Sequence, residues 1–255
     1  LLRTKKMEGD LIRNRIQKPE KRQNIQEEQD ANFSIESGPF YSSLIINLKL
    51  HQSLLVDASQ VTAMDSSIVF IANLQDGLLK NLTNFLGKEI LFINQFSAEE
   101  KPGKIFLSPG LPGNIHHYCL TPKTGILLQS SCFIACMPTV QIDIKFSGMT
   151  DFLSNESTCL LRMIGSGDLW FSSYGGILEI TVNDHLLINT GYIVAFEETL
   201  DYEVQAIADL AISSSRIKYY GGQELVCRFK GEGKVWIQLR QGNSFLNFLE
   251  PSLTN

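Results

Sequence analysis

The chain has 255 residues, of which 44% are hydrophobic and 19% are charged, and its net charge at pH 7 is −5. This is a globular balance, with length enough to bury a large core. The acidic balance argues against binding nucleic-acid phosphates over a broad face, and no apolar run reaches the eighteen residues of a transmembrane helix.

The N-terminal segment, residues 1–39, is polar and carries the basic charge. Residues 1–25 hold eight Lys or Arg residues against three acids, a net of +5, whereas the remaining chain has a net of −10. We expect a basic arm that is helical before Pro19 or disordered. The alternatives for its role are a solvated arm, a contact with anionic lipid, or the remnant of a targeting segment. The candidate contact residues are Arg3, Lys5, Lys6, Arg13 and Arg15.

Residues 40–242 contain one motif three times. It reads LLVDASQVTAMDSS from Leu54, ILLQSSCFIACMPT from Ile126 and LLINTGYIVAFEET from Leu186. No gap is needed to align the three copies. Asp57, Gln129 and Asn189 then occupy one position. Three equivalent polar residues favour capping of backbone groups in a buried ring, and a small-molecule site is the alternative.

A strand with alternating polarity is predicted five residues after the central alanine of each motif copy. In the second and third copies the outward positions are polar. In the first copy two outward positions, Val69 and Ile71, are apolar, so we expect the arm or another subunit to cover that face, with an exposed edge as the alternative. The predicted inward positions are Ile68, Phe70, Ala72 and Leu74 in the first copy, Val140, Ile142, Ile144 and Phe146 in the second, and Leu200, Tyr202, Val204 and Ala206 in the third.

The stretch GLLKNLTNFLG, residues 77–87, predicts a helix of one or two turns with more apolar surface than a solvated loop needs. It either contacts a partner or a membrane, or plugs the end of its own sandwich. Its apolar residues are Leu78, Leu79, Leu82, Phe85 and Leu86.

Each motif copy is followed by two strands separated by glycine. Gly167 and Trp170 align with Gly233 and Trp236. This spacing predicts a β-hairpin with glycine in its turn. The body then divides into three β units at approximately 40–120, 121–181 and 182–242, followed by a tail at 243–255.

Six stretches in this order resemble the altered-inheritance-of-mitochondria-twenty-four family, whose members are similar to the tryptophan RNA-binding attenuator protein. They are LLVDASQVTAMD, LFINQFSA, LSPGLPGNI, WFSSYGGILEI, GYIVAFEETLDYEV and CRFKGEGKVWIQLR, within about residues 40–241. The resemblance implies an all-β fold of three attenuator-like β-sandwich units around a pseudo-threefold axis. It implies no catalytic residues, and it links a mitochondrial member to inner-membrane contact sites and cristae.

Reactive side chains show no pattern typical of a catalytic or metal site. His116 and His117 are adjacent, so on a strand they point to opposite faces. The five cysteines lie in apolar stretches and are predicted to be small buried residues in a reducing compartment. GSGDLW, residues 165–170, has no following helix and does not predict a phosphate site, whereas SPGLPGN, residues 108–114, predicts a rigid turn with a ligand mouth as the alternative.

We therefore expect a non-enzymatic scaffold or interaction protein that belongs to, or assists, a mitochondrial inner-membrane assembly. No metal or cofactor is expected. Protein partners are expected, with peripheral membrane contact and a homo-oligomer as further alternatives, in mitochondria or alternatively in a bacterial cytoplasm. The competing function classes are a small-molecule-binding module with a pocket between the β units, an RNA-binding protein and an enzyme of unrecognised type. Acidic outward positions such as Asp143 and Glu203 argue against RNA.

Overall fold

The computed structural model describes residues 31–38, 40–71, 93–145, 159–207 and 225–241, with side chains at all of these except Ile71, Ile144 and Lys145. These residues form an all-β fold, and they contain no α-helix. The predicted helix at 77–87, the tail at 243–255 and the arm up to residue 30 lie outside the described residues.

The described residues contain nineteen strands and three 3₁₀ helices, which are connected by turns and loops. The strands are β1 Asn32–Ser37, β2 Ser42–Leu48, β3 Ser53–Asp57, β4 Val61–Met64, β5 Ile68–Ile71, β6 Ile93–Ala98, β7 Gly103–Leu107, β8 Ile115–Leu120, β9 Ile126–Gln129, β10 Phe133–Cys136, β11 Val140–Lys145, β12 Leu160–Gly165, β13 Gly167–Ser172, β14 Ile177–Val182, β15 His185–Asn189, β16 Ile193–Glu197, β17 Asp201–Ala206, β18 Leu225–Lys230 and β19 Gly233–Gln238. Strand β1 lies within the predicted arm and pairs with β2, so the arm from Ala31 onward belongs to the sheet structure.

The strands form four antiparallel sheets. The first sheet has the order β1-β2-β7-β4, and the second has the order β5-β6-β3-β10-β13-β8. The third sheet has the order β11-β12-β9-β16-β19-β14, and the fourth has the order β15-β18-β17. The two six-stranded sheets each contain strands from two copies of the motif.

Three hydrophobic clusters lie between successive sheets. One joins the first and second sheets, another joins the second and third, and the last joins the third and fourth. The second and third sheets therefore bury both faces. Strand β10 shows this: Ile134 contributes to one cluster and Phe133 to the next, so its four residues are all buried. A strand covered on both faces reads as a continuous apolar run instead of an alternating one.

The three motif copies form the same local structure, a strand, a three-residue 3₁₀ helix and a second strand. The helices are Ala58–Gln60, Ser130–Cys132 and Thr190–Tyr192. The strand after each helix carries a register shift at matching positions, between Val61 and Ala63, Phe133 and Ala135, and Ile193 and Ala195. A bulge of this kind bends a strand and strengthens its twist.

The predicted glycine-containing hairpins are wrong, because the two strands on either side of each glycine turn do not pair with each other. Strand β12 belongs to the third sheet and β13 to the second, while β18 belongs to the fourth and β19 to the third. Gly165 and Gly167 have φ angles of 115° and 132°, which place a tight corner where the chain passes between sheets. The glycines correctly predicted that the chain turns at these positions. The strands on either side of each turn, however, form their hydrogen bonds with strands from other parts of the chain.

The predicted alternation after the motif holds for Ile68, Val140 and Ile142, which are buried, and for the exposed Gln141. It is wrong for Phe70, which is 52% exposed. The reason is that β5 is the edge strand of the second sheet, so its end lacks a covering layer among the described residues.

The cysteine prediction is confirmed at four positions and wrong at one. Cys132, Cys136, Cys159 and Cys227 are buried, whereas Cys119 on the outermost strand of the second sheet is exposed. Burial raises the thiol pKa of both Cys132 and Cys227 to about 12, and that of Cys136 further still.

Candidate interaction surfaces

The predicted apolar face of β5 is partly described. Val69 is 45% exposed and Phe70 is 52% exposed, and the Phe70 ring stacks on Phe96 with 5.8 Å between ring centroids. Val69 and Phe70 are adjacent on the strand and point to opposite faces of the sheet, and we call these two exposed side chains of the edge strand the β5 surface. The side chain of Ile71 and the predicted contact residues of segment 77–87, Leu78, Leu79, Leu82, Phe85 and Leu86, lie outside the described residues, and so do the arm residues Arg3, Lys5, Lys6, Arg13 and Arg15.

The three equivalent polar residues lie on different sheets and act locally. Asp57 accepts a hydrogen bond from the Ser59 N–H at 3.1 Å, and Asn189 accepts one from the Gly191 N–H at 3.0 Å. These bonds cap the first turn of the first and third 3₁₀ helices. Gln129 makes no such cap, and its side-chain oxygen lies 3.7 Å from the Cys132 thiol. The side chains thus serve the 3₁₀ turns at two of the three positions.

An open cleft of about 470 Å³ lies at the end of the first sheet. It is enclosed by the turn between β1 and β2 and by the segment after β7. Four serines and one glutamate are among its lining residues, and Tyr41 and Leu111, which also line it, are 65% and 54% exposed. The lining residues are Glu36, Ser37, Gly38, Tyr41, Ser42, Ser43, Ser108, Pro109 and Leu111. The predicted turn SPGLPGN therefore supplies part of a cleft wall.

A buried carboxylate fastens the start of the described chain. Asp168 is 3% exposed, and its two oxygens accept hydrogen bonds from the Ala31 N–H at 2.9 Å and from the His117 ring at 2.7 Å. His117 packs against Phe33 and Trp170 at centroid distances of 4.5 and 5.5 Å. This group of side chains holds β1 onto the second sheet.

His116 points to the other face of β8, as predicted for adjacent residues on a strand. Its ring packs against Phe171 and Trp236, and burial lowers its pKa. The Tyr118 hydroxyl donates to Glu197 at 3.0 Å, which links the second sheet to the third. Burial, with the Glu197 carboxylate beside it, raises the pKa of Tyr118 above its ordinary value.

The role of Asp168 was not predicted from the sequence, because the interpretation of GSGDLW rests on its glycines, as a turn and as a rejected phosphate site. The available signal was an acid directly before the apolar run LWF on a strand, which requires a buried partner for the carboxylate. Neither of its two partners, His117 and Ala31, follows from local spacing, because they lie 51 and 137 residues away.

Two absences among the described residues concern metal ligands and membrane-spanning helices. No group of three or more His, Cys, Asp or Glu side chains in these ranges converges as metal ligands would. Within the same ranges, no helix has the length and hydropathy needed to cross a bilayer.

The fold and these surfaces define an all-β protein of stacked, sandwich-like antiparallel sheets. A crystal structure of a Streptococcus pyogenes protein has a similar fold, with a TM-score of 0.70 at 20% sequence identity. The match covers 87% of this chain and 99% of the bacterial one. A search of curated proteins gives no significant match.

The family model Mitochondrial biogenesis AIM24 matches residues 33–240. The chain belongs to this family. The resemblance inferred from the six sequence stretches is thereby confirmed. The family name points to mitochondria, while the structural match is bacterial, so both predicted locations are compatible with the comparisons.

Proposed function

We propose that this chain is a non-enzymatic interaction protein that serves as a scaffold in mitochondrial biogenesis. The observation that carries the proposal is the β5 surface, where Val69 and Phe70 are about half exposed on the edge strand of a six-stranded sheet. An edge strand offers unpaired backbone groups beside apolar side chains, and a binding partner gains from covering both. The family name supports the mitochondrial setting.

The proposed partner is a protein assembly at the mitochondrial inner membrane. The basic arm supports a second, peripheral contact, because cationic residues are attracted to the anionic surface of such a membrane. The two contacts have different chemistry, so they differ in salt dependence: the apolar contact persists at high salt, whereas the arm contact weakens.

Crosslinking mass spectrometry on the full chain in mitochondrial extract tests the scaffold role. We expect recurring crosslinks to one assembly, and we expect the double variant V69S/F70S to lose them. This variant keeps the native circular-dichroism spectrum and a cooperative melting transition, at a melting temperature lowered by the loss of the Phe70–Phe96 ring contact. The matched control is Leu178→Ser, since Leu178 is 48% exposed on β14, the edge strand of the other six-stranded sheet. A V69S/F70S chain that keeps all crosslinks rules out the β5 surface as the contact.

We infer, as part of the same proposal, that the strands build three attenuator-like units around a pseudo-threefold axis. Three observations support this arrangement: the three identical strand–3₁₀–strand elements, the register shift at the same place in each, and the sharing of each six-stranded sheet between successive motif copies. The fourth and first sheets are then the two halves of a third shared sheet.

A small-molecule-binding module is the second candidate, and the cleft at the end of the first sheet favours it. Its volume of about 470 Å³ lies in the range of known ligand sites, although it is within one sheet end and not between units. A thermal-shift screen across metabolites, tryptophan included, tests it. A ligand that raises the melting temperature of the native chain but not of Ser108→Leu supports this candidate.

A further inference from the structure

The cleft at the end of the first sheet carries a negative charge that no described residue neutralises. Glu36 is the one charged residue among the nine that line it. The ion pairs found in the described ranges involve other carboxylates, and the Glu36 side chain makes no hydrogen bond within those ranges. A ligand that brings a positive charge into this cleft therefore meets a complementary charge.

Three backbone N–H groups that border the cleft already have acceptors. The Gly38 N–H donates to the Tyr41 carbonyl at 2.8 Å, and the Ser42 N–H donates to the Gly113 carbonyl at 3.0 Å. The Ser108 N–H donates to a third backbone carbonyl, also at 2.8 Å. Because anions are bound by free N–H groups and by cationic side chains, this arrangement disfavours a phosphate or carboxylate ligand.

The serine hydroxyls of the cleft supply further hydrogen-bond acceptors. Ser42 is buried, and its hydroxyl lies 3.2 Å from that of Ser37, so one of the two donates to the other. Ser43 and Ser108 also line the cleft. A hydroxyl oxygen has two lone pairs, so these four side chains can accept from the N–H groups of an ammonium or guanidinium.

Exposed aromatic and aliphatic side chains accompany the carboxylate. The ring of Tyr41 lines the cleft, and the neighbouring Phe40, 72% exposed, meets it edge to face at a centroid distance of 6.3 Å. The face of an aromatic ring attracts a cation. Leu111 lines the same cleft and offers apolar surface to the alkyl stem that carries the charged group.

We propose that this cleft binds a ligand with a cationic ammonium or guanidinium group, with Glu36 as its counter-charge and Tyr41 as the ring that packs against it. The volume of about 470 Å³ holds such a group together with the carbon chain that carries it. This inference rests on the small-molecule candidate proposed above, whose ligand class it names. A free amine and the Arg or Lys side chain of a partner protein share this chemistry.

Titration with two probes of nearly the same shape tests the charge. The isotope-labelled full chain is titrated with butylguanidinium and with butylurea, its neutral counterpart, and amide chemical shifts are followed by NMR at Ser37, Ser43 and Ser108. We expect butylguanidinium to bind roughly twofold to fivefold more tightly, the strength of a solvent-exposed ion pair. Added salt reduces this difference, because it screens the Glu36 charge. Equal binding of the two probes overturns the proposal.

Two variants assign the roles of the lining residues. Glu36→Gln keeps the shape of the side chain and removes its charge, so we expect it to abolish the preference for butylguanidinium over butylurea. The matched control is Glu232→Gln, since Glu232 is also exposed but lies in the turn between β18 and β19 and does not line the cleft. Tyr41→Leu removes the ring, and we expect weaker binding of butylguanidinium. A Glu36→Gln chain that keeps the preference overturns the proposal.

A peptide probe distinguishes the two sources of the cation. The tripeptide acetyl-Gly-Arg-Gly-amide presents the guanidinium on a protein backbone, and its citrulline counterpart is the neutral control. Tighter binding of the arginine peptide than of butylguanidinium, with shifts that extend to Phe40 and Leu111, supports the side chain of a partner protein. Weaker or equal binding of the peptide supports a free small cation. Both results agree with the proposed ligand class.

The failure of this inference is distinguishable from the failure of the candidate on which it rests. Cationic probes that cause no shifts at the cleft overturn the inference. A neutral or anionic metabolite that raises the melting temperature of the native chain, but not of Ser108→Leu, then leaves the small-molecule candidate standing with another ligand class. The absence of any ligand in both experiments overturns both. The scaffold proposal is tested separately by the β5 variants.

Discussion

Trp170 on β13 and Trp236 on β19 occupy corresponding positions, but their ring nitrogens have different polar surroundings. Trp170 and Trp236 are both 0% exposed. The Trp236 Nε1–H donates to Glu179 at 3.1 Å, whereas the Trp170 Nε1–H has no acceptor among the described residues. A buried donor without an acceptor is costly, so the packing around Trp170 offsets a penalty that Trp236 does not carry.

Replacing each tryptophan by phenylalanine separates packing from hydrogen bonding. We expect Trp236→Phe to lower the free energy of unfolding by about 1 kcal/mol more than Trp170→Phe, because only the former loses a hydrogen bond. Urea denaturation followed by circular dichroism measures the difference. Equal losses would mean that the Trp170 ring nitrogen has an acceptor in solution.

Two Asp–His pairs differ in burial and form a second comparison at this scale. We expect Asp168→Asn to cost about 1–3 kcal/mol of unfolding free energy, because the buried carboxylate serves both His117 and the Ala31 N–H. Asp184→Asn is the control, since Asp184 and His185 form an exposed pair and such pairs contribute little. Chemical denaturation of both variants measures how much unfolding free energy each one loses. A similar cost for the two would show that Asp168 does not fasten β1.

At the scale of elements, the corners between sheets determine how the strands are distributed. The chain leaves β12 in the third sheet and enters β13 in the second through Gly165, Ser166 and Gly167. A Cβ atom at Gly165 would lie 2.6 Å from the Thr139 carbonyl oxygen, and the residue also has a positive φ. Two independent reasons therefore require glycine at this corner.

Alanine substitution tests the corner. We expect Gly165→Ala to cost about 1–3 kcal/mol of unfolding free energy, from the strained φ and the backbone contact. Gly110→Ala is the control, because a Cβ atom there meets nothing within 4 Å, and we expect a change within about 0.5 kcal/mol. Thermal and urea unfolding of both variants measure the contrast. A Gly165→Ala chain as stable as the control would contradict the corner geometry.

At the scale of the whole molecule, three successive cores are separated by two sheets that are buried on both sides. Four of the five cysteines lie in or against these cores. Burial disfavours the thiolate, so the thiol pKa values of Cys132 and Cys227 rise to about 12 from an ordinary value of 9.0. The folding of the whole chain is thereby linked to pH.

The sign of this linkage follows from which state ionises first. Above pH 9 the thiols ionise in the unfolded chain but not in the folded one, so the free energy of unfolding falls as pH rises from 9 toward 12. Each thiol contributes about 1 kcal/mol per pH unit in this window. We expect Cys132→Ala/Cys227→Ala to make the fall shallower. Urea titrations at several pH values measure the slope, and an unchanged slope in the double variant would refute the linkage.

Much of the local structure was predictable, because it depends on neighbouring residues. The three motif copies predicted three equivalent local structures, and Asp57 and Asn189 each cap the 3₁₀ turn of their own copy, whereas Gln129 does not and the buried ring stays a prediction. The opposite directions of His116 and His117 follow from strand geometry alone. The candidate contact residues in the arm and in segment 77–87 stay predictions, as does the interface role of Val69.

The sequence by itself therefore determined the all-β class, the family and the equivalence of the three motif copies, since side-chain alternation and turn residues act over a few positions. Only the tertiary structure decided which strands pair, because backbone hydrogen bonds are the same for every partner and the choice depends on distant packing. That choice turned the expected hairpins into crossings between sheets, exposed Phe70 at an edge and buried Asp168 beside residues far away in the chain.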